Sequence, residues 1–398
     1  MSANKFEFSG EVVTPLFMGG SDARQNPELR SPSLRGALRY WFRALLGGCE
    51  SIPLTIETLK NEEQRVFGSP DTGSAVAVTL HGEWDDQILT YQKDRALRTP
   101  NGDYSPTGKD YLLWSMAESG RQGTPRYLPS REYIKPGSKF AITLRTRLNQ
   151  EMLKRAYIAL WLLSNFGAIG ARANRGAGSF QITSFRTDDL PDFKLCESTD
   201  ELYNHLKNGI TQCLQLLGGQ DAIWRNFNDE QPPFDILSPS SAEIWIISDA
   251  QAGWSSHLDS LNGIGETLRN YRSHSRPNSV GKADHDAVLK WLEKGGTPPN
   301  IQRAAFGLPI PFRYSEGGPN DVIQSEIGDR RSSPLKIRIT RLTTGKYVGI
   351  LVLFKSQFLE ERVDLQLQTR KWTAPPPADY SVIQQFINSF PVKKSVMP

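Results

Sequence analysis

Residues 29–45 read LRSPSLRGALRYWFRAL, and this stretch carries the clearest structural signal in the chain. Its apolar residues recur at the spacing of one buried helix face: Leu34, Leu38, Phe42 and Leu45. Ser31 is expected to be the N-cap, with Pro32 at the first helical position. Gly47 and Gly48 supply the C-terminal stop. The pattern predicts a helix that begins near Ser31 and ends at the two glycines.

A row of arginines lies beside this apolar stripe. Arg35, Arg39 and Arg43 are four residues apart, so they share one face of the predicted helix, and Arg24 and Arg30 lie just upstream. Guanidinium groups match phosphate oxygens bidentately, which favours a phosphate-gripping surface. The alternative is a solvated helix face whose arginines pair with distant acids.

Working outward, strands and helices alternate. Upstream, alternation over 6–13 predicts a strand that ends in the segment TPLFMGG at 14–20. Downstream, the patterns predict the following elements: strand 140–148, helix 151–165, strand 179–185, helix 199–217, strand 242–247, helices 257–271 and 285–294, a hairpin of strands 335–342 and 346–354, and a helix 380–390 followed by a frayed tail. This order predicts an α+β fold with antiparallel sheets, and two ferredoxin-like (RRM-like) domains are the economical solution.

Length and loop composition suggest where the domains divide. A chain of 398 residues exceeds what one core usually organises. We predict an N-terminal domain at 1–230 and a C-terminal domain at 231–398. Between His81 and Pro136 the periodicity breaks down, and we predict a long loop or insertion that is partly disordered.

A glycine-rich loop follows the predicted helix 151–165. Residues 166–180 read FGAIGARANRGAGSF, with four glycines, two arginines and no acid. Glycine permits positive φ and close backbone approach, so N–H groups and two guanidiniums could line a polyanion. The candidate residues are Gly167, Gly170, Arg172, Arg175, Gly176 and Gly178. The alternative is a flexible connector.

A third basic stretch lies near the C-terminal end. From Arg330 to Lys346 there are six basic residues and no acidic one, and Arg330, Arg331 and Lys336 are the candidate contacts within it. The net charge of the whole chain is only +4, so the clustering of charge, and not its total, suits a polyanion.

Several other function classes lack support in the sequence. The glycine-rich loop follows a helix and precedes a strand, the reverse of phosphate-binding loops in nucleotide enzymes. The five histidines and three cysteines do not show metal-ligand spacing, and we predict no metal, no cofactor and no catalytic residue. The N-terminus lacks a signal peptide and no stretch of 18 apolar residues occurs, which favours a cytoplasmic protein without membrane contact.

The stretches 14–20 with 29–45, 167–180 and 330–337 together resemble the RAMP superfamily, and in particular the first RAMP subunit of the type III-B CRISPR (Cmr) effector complex. The resemblance implies two ferredoxin-like domains and a place near the 3′ end of the guide RNA. It also implies contacts with target single-stranded RNA and with other RAMP subunits in antiviral defence.

The resemblance therefore predicts a non-catalytic RNA-binding subunit that holds RNA by its backbone while base pairing supplies specificity. Two alternatives stay open. One is a RAMP-type endoribonuclease that processes the guide precursor, for which His81 is the candidate histidine, although its segment offers no matched catalytic partner. The other is a structural cap that binds only protein neighbours.

Overall fold

The computed structural model describes most of the chain. The described residues are 4–94, 97–98, 104–147, 149–187, 189–228, 230–273, 276–313, 320–328, 330–360, 363–367, 370–377 and 379–397. The helices and strands up to residue 218 are β1 Lys5–Val12, α1 Ser31–Gly48, α2 Ile56–Phe67, β2 Val76–His81, β3 Ile88–Thr90, β4 Leu97–Arg98, β5 Tyr104–Ser105, α3 Gly108–Leu113, β6 Glu132–Ile134, β7 Lys139–Thr146, α4 Gln150–Phe166, β8 Phe180–Ile182, β9 Ser184–Phe185, β10 Phe193–Lys194 and α5 Thr199–Gly218. Those that follow are β11 Ala242–Ser248, α6 His257–Arg272, α7 Val280–Lys294, β12 Ile310–Arg313, β13 Asn320–Ser325, β14 Leu335–Arg341, β15 Tyr347–Phe354, β16 Leu365–Leu367, β17 Arg370–Ala374, α8 Ser381–Asn388 and β18 Val392–Ser395.

The first sheet has the strand order β2-β7-β1-β8, and all its pairs are antiparallel. Its register pairs Phe8 with Ile142 and Val12 with Phe180. Strand alternation turns Phe8 and Val12 toward the core, where α1 and α4 cover them. In chain order this half runs strand, helix, strand, strand, helix, strand, with α2 and the segment from β3 to β6 inserted.

The second sheet repeats this arrangement. Its order is β14-β15-β11-β18, again antiparallel, with α6 between β11 and β14 and α8 between β15 and β18. The predicted α+β class with antiparallel sheets is confirmed. The predicted frayed tail is wrong, because Val392–Ser395 pairs with β11 and completes the sheet. The described residues also form a four-stranded sheet β12-β13-β16-β17 that the sequence did not indicate.

The helix α1 has the predicted extent and buries the predicted stripe of leucines and Phe42. The prediction that Ser31 caps it is wrong. Arg30 occupies the cap position without a side-chain hydrogen bond. Ser31 Oγ instead accepts a hydrogen bond from the Leu80 amide at 3.1 Å, so it joins the helix to β2. Similarly, α7 begins at Val280, with Ser279 as its cap, and not at His285.

The segment between β2 and β7 is more ordered than the prediction of a loop allowed. It holds the β3–β6 and β4–β5 pairs and the helix α3, which packs on α6. Leu112, Leu113 and Met116 are buried there. Gly108 allows the close approach of α3 to α6, since a Cβ at Gly108 would clash with the Asn262 carbonyl. Residues 95–96 and 99–103 of the predicted loop lie outside the described residues.

The hydrophobic core is divided into two clusters, and each draws on both halves of the chain. One contains Phe8 and Trp161 together with Val352 of β15. The other contains Phe306 and Leu351 together with Phe17. Within the described part of the chain, no helix combines the length and apolar character needed to cross a bilayer.

Candidate nucleic-acid interface

The three stretches singled out in the sequence meet at one cleft of about 830 Å³. One wall is the loop after β1, from Phe17 to Gly20, and a second wall is α1 with Arg30 just before it. Residues 166–171 with Ala173 and Asn174 form the third wall, and Arg331 with Lys336 closes the cleft. Residues more than 300 positions apart thus line one surface.

The charge of the cleft is predominantly positive. Among the described residues that line it, the basic ones are Arg30, Arg131, Arg331 and Lys336, and the acidic one is Asp235. Arg30 is exposed, and no described residue receives a hydrogen bond from its guanidinium. An exposed cation without an internal partner is free to bind a phosphate oxygen.

Asp235 organises the floor of the cleft. Its carboxylate accepts hydrogen bonds from Tyr40 Oη at 2.6 Å and from Ser356 Oγ at 2.8 Å. Lys336 Nζ lies 3.6 Å and Arg331 Nη2 4.0 Å from its oxygens. Burial lowers the pKa of Lys336, and the Asp235 charge acts against that shift. Burial, reinforced by the same carboxylate, raises the pKa of Tyr40 well above its usual range.

Arg331 itself is firmly held. Its Nε donates to the Phe358 carbonyl at 2.8 Å, and its guanidinium lies 5.9 Å from the Phe358 ring. Arg330 is exposed and lies in a neighbouring cavity of about 820 Å³, which shares Tyr40, Asp235 and Arg331 with the cleft. The later residues of the basic run turn inward: Arg338 is buried, and Arg341 pairs with Glu11 at 2.9 Å.

The glycine-rich loop is held rigidly against the loop after β1. The Ala171 amide donates to the Phe17 carbonyl at 2.7 Å, and the Gly178 amide donates to the Pro15 carbonyl at 2.9 Å. Gly170 has a φ of +86° and a Cβ there would lie 2.5 Å from the Phe17 carbonyl oxygen, so this position requires glycine. The amide of Gly176 is also used, since it donates to the Ile337 carbonyl at 3.0 Å. These amides therefore stabilise the loop and are not free to bind an anion, and the loop is not a flexible connector.

The remaining glycines permit close packing. A Cβ at Gly167 would clash with the indole of Trp41, and one at Gly178 with the Ile169 carbonyl. A Cβ at Gly176 would lie 2.8 Å from Leu261. The glycines thus let the loop fit between α1 and the second half of the chain.

Arg172 and Arg175 point away from the cleft lining. Arg172 Nε donates to the Leu112 carbonyl at 2.8 Å, and Arg175 Nη2 donates to the Phe306 carbonyl at 3.3 Å. Burial lowers the pKa of both, that of Arg175 to about 9. The loop therefore presents its backbone and Asn174 to the cleft and its arginines to another surface.

The arginine row on α1 also faces elsewhere. Arg39 and Arg43 converge on Glu63 of α2, which is only 7% exposed, and Arg39 Nη2 donates to the Phe67 carbonyl at 2.9 Å. Arg39 and Arg43 therefore pair with a distant acid, which is the alternative that the sequence left open for this helix face. Arg35 is half-buried, and its Nε has no hydrogen-bond partner in the described part of the chain. Upstream, Arg24 donates to the carbonyls of Ala117 and Pro129.

Sequence reasoning missed Tyr40, Asp235 and Arg131. Arg131 lies in the predicted insertion, its Nε is buried without a partner, and burial followed by the charge of Arg24 lowers its pKa. In the sequence, the short alternating run that precedes Pro136 is the feature that could have pointed to Arg131. Asp235 lies just after the predicted domain boundary at residue 230, where composition gives no sign of a buried carboxylate.

Among the described residues no three His, Cys, Asp or Glu side chains form a group able to hold a metal ion. All three cysteines are buried thiols, and burial raises the pKa of Cys196 to about 12. His81 is exposed at the end of β2.

Comparison with known proteins gives consistent matches. The family model for RAMPs, the RAMP superfamily, matches residues 10–181. The Cmr subunit Cmr1-1 of a Pyrococcus furiosus CRISPR system is 27% identical over 358 residues, which cover 89% of each chain. The subunit Cmr1-2 of the same organism is 35% identical over 182 residues, which cover 45% of this chain and 95% of that protein. The crystal structure of P. furiosus Cmr1 in its apo form superposes with a TM-score of 0.56 at 22% identity, over 99% of this chain and 98% of that one, and this likeness shows a shared fold.

Proposed function

Since the chain belongs to the RAMP superfamily, as a relative of the Cmr1 subunits, we propose that it is a non-catalytic, RNA-binding subunit of a type III-B CRISPR (Cmr) ribonucleoprotein. In this role it contacts the guide RNA near its 3′ end and helps to capture target RNA. Its partners are the guide RNA, the target RNA and the other RAMP subunits of the complex.

The observation that carries the proposal is the convergence of three basic or glycine-rich stretches on one cleft. Among the described residues, four cations and one carboxylate line it, so its potential favours a polyanion. Arg30 is the cation best suited to a phosphate, because it is exposed and unpaired among the described residues. Phosphate contacts position an RNA without reading its sequence, which suits a protein whose specificity comes from base pairing.

The domain organisation is part of the same proposal. We infer that residues 1–230 and 231–398 are two ferredoxin-like domains. Each contains a βαββαβ series. With its four strands numbered in chain order, the order of the strands across the sheet is 2-3-1-4 in both cases. The cleft lies between them, with the glycine-rich loop from the first and Lys336 from the second.

The direct test is RNA binding by Arg30→Ala, measured by fluorescence anisotropy on two unrelated single-stranded RNAs over a salt series. We expect similar weakening on both RNAs and a log–log salt slope reduced by about 0.7, the value for one phosphate contact on a single strand. Arg147→Ala, which removes another exposed arginine outside the cleft, is the matched control. Unchanged affinity and slope for Arg30→Ala would remove the cleft from the RNA path.

Two further experiments separate the alternatives. Co-purification with a tagged chain, followed by RNA sequencing and protein identification, distinguishes an RNA-binding subunit from a cap that recovers proteins alone. Incubation of guide precursor and target RNA with the purified protein, with Mg²⁺, Mn²⁺ or chelator, tests the endoribonuclease. We expect intact RNA, and single-turnover cleavage abolished by His81→Ala would establish the enzyme instead.

A further inference from the structure

Four arginines converge outside the cleft, beside the hydroxyl of Tyr111. They come from the glycine-rich loop, the end of α6 and the short 3₁₀ helix Gln302–Phe306, and they are Arg172, Arg175, Arg272 and Arg303. Arg272 Nη1 lies 3.3 Å from Tyr111 Oη, and its guanidinium lies 5.1 Å from the Phe306 ring centre. Arg175 donates to the carbonyl of the same Phe306, while Arg172 donates to the carbonyl next to Tyr111. Tyr111 and Phe306 thus hold Arg172, Arg175 and Arg272 near one another. Arg303 lies close enough for the charge of Arg272 to affect its pKa.

The positive charge of this cluster is poorly balanced. None of the four arginines lies within 4.0 Å of a carboxylate oxygen in the described part of the chain. Asp284 is near enough to favour the charged form of Arg303. Its oxygens, however, accept the backbone amides of Gln302 at 3.1 Å and Arg303 at 2.7 Å, and it is 4% exposed.

Several donors of the cluster are buried without an acceptor. Arg175 Nη1, Arg272 Nε and Arg303 Nε have no hydrogen-bond partner among the described residues, and Arg303 is 6% exposed. A buried cationic N–H group without a hydrogen-bond acceptor raises the free energy of the folded state, and neighbouring like charges raise it further. Burial and mutual repulsion lower the pKa of Arg175 to about 9, although guanidinium groups ordinarily stay charged far above neutral pH. An anion among these groups would satisfy the donors and the charge together.

We propose that Arg172, Arg175, Arg272 and Arg303, with Tyr111, form a binding site for one phosphate group, separate from the cleft. Guanidinium groups that arrive from three elements suit the divergent oxygens of a phosphate better than the two coplanar oxygens of a carboxylate. Arg172, Arg175, Arg272 and Tyr111 are each partly exposed, so the cluster borders solvent. The site stands whether or not the cleft binds RNA.

The test is a titration of the full-length protein with inorganic phosphate at constant ionic strength, followed by calorimetry and by the thermal midpoint. We expect saturable binding of one equivalent and a rise in Tm that matched chloride does not give. Arg272→Gln and Arg303→Met should each weaken the apparent Kd about tenfold or more, since each removes charge-assisted hydrogen bonds. Arg276→Gln removes an exposed arginine from the same segment and should bind phosphate like the wild type.

The stability of the variants keeps the result interpretable. Without phosphate, removal of one crowded charge at position 272 should leave Tm unchanged or raise it, so a lost phosphate response is separable from unfolding. Arg175→Lys is a second variant that keeps the charge but loses the fork, and it should also bind phosphate more weakly. The proposal is overturned if the wild type shows no saturable response, or if Arg272→Gln and Arg175→Lys respond like the wild type.

A second arm identifies the source of the phosphate. If an RNA phosphodiester occupies the site, Arg272→Gln weakens binding of single-stranded RNA, and inorganic phosphate competes with RNA near its own Kd. If a free phosphate occupies it, RNA affinity is unchanged in Arg272→Gln while the phosphate response is lost. Both results support the site, and the phosphate titration itself contains no RNA, so it does not depend on the RNA-binding proposal.

Discussion

At the scale of single residues, Asp235 controls the charge at the floor of the cleft. It is the acidic residue among the described lining residues, and it accepts from Tyr40 and Ser356 while facing Lys336 and Arg331. A buried lysine without a counter-charge tends to lose its proton. The Asp235 carboxylate therefore favours the charged form of Lys336, which contributes to the positive potential of the cleft.

We expect Asp235→Asn to lower the free energy of unfolding by about 2 kcal/mol, because two cations lose their counter-charge while the shape is kept. Tyr40→Phe is the matched control, since it removes one hydrogen bond to the same carboxylate and should cost about 1 kcal/mol. Urea unfolding measures both. If the Asn variant is as stable as the Phe variant, the cations do not depend on Asp235.

His205 gives a pH dependence of stability. It lies near the Trp161 ring and Lys194, and burial lowers its pKa from 6.5 to about 4. The unfolded chain therefore takes up the proton first as the pH falls. The contribution of neutral His205 to the free energy of unfolding is fully present above pH 6.5, and it is lost as the pH falls from 6.5 to about 4.

We expect the wild type to lose up to about 3 kcal/mol more than His205→Gln over that window, measured by urea unfolding at a series of pH values. Protonation of Asp284 has the opposite effect on stability over the same pH range. Burial raises the pKa of this carboxyl to about 6, so its protonation favours the folded state. The difference between wild type and variant removes this shared contribution. Parallel curves for the two proteins would show that His205 takes up its proton equally in both states.

At the scale of elements, the joint between α1 and α2 depends on one buried carboxylate. The Glu63 carboxylate forms ion pairs with Arg39 and Arg43, which lie on successive turns of α1. Arg39 also donates hydrogen bonds to the carbonyls at the end of α2. These bonds fix the packing of the two helices beside the second cavity.

We expect Arg39→Ala to destabilise the protein by about 2 kcal/mol, because Glu63 and two carbonyls lose a donor. Arg43→Ala should cost about 0.5–1 kcal/mol, since this side chain is 44% exposed and solvent screens the pair. Urea unfolding of both variants and of Arg35→Ala checks the order. The RNA affinity of the folded variants then tests whether this arginine row also binds phosphate, as the sequence predicts. Equal stability losses for Arg39→Ala and Arg43→Ala would contradict the structural role assigned to Arg39.

Strongly periodic elements could be predicted from the sequence, and weakly periodic ones could not. The helices α1, α4 and α5 and the hairpin of β14 and β15 follow the predicted patterns closely, because each buries a continuous apolar face. The helix α3 has six residues, and the short strand β16 pairs with β13, whose residue Ser325 lies 40 positions before Leu365. Such elements form through tertiary contacts that local patterns do not encode.

The same distinction applies to the site. The sequence indicated which stretches matter, since charge and glycine content are local properties. It did not indicate where each guanidinium points, because that depends on acceptors such as the Leu112 carbonyl, sixty positions from Arg172. Arg30 stays exposed for lack of such an acceptor among the described residues, whereas Arg338 donates to the carbonyls of Gly167 and Phe180.

At the scale of the whole molecule, buried polar contacts join the two halves. Arg338 of β14 donates to the carbonyls of Gly167 at 2.8 Å and Phe180 at 2.6 Å, and the Ile339 amide donates to Ser179 Oγ at 3.1 Å. Both hydrophobic clusters also contain residues from each half. Separation of the halves would expose apolar surface and leave these buried groups unpaired.

We therefore expect the full chain to unfold in a single cooperative transition, with tryptophan fluorescence and far-UV circular dichroism giving the same midpoint. Arg338→Met keeps the volume but leaves two carbonyls without a donor, so it should lower the stability by about 2–4 kcal/mol. Because the apolar clusters still span both halves, the transition of this variant should stay single. Two separated transitions in the wild type would mean that each half is stable alone and that the cleft between them can open without unfolding. Two transitions in the variant alone would mean that Arg338, and not the shared apolar core, couples the halves.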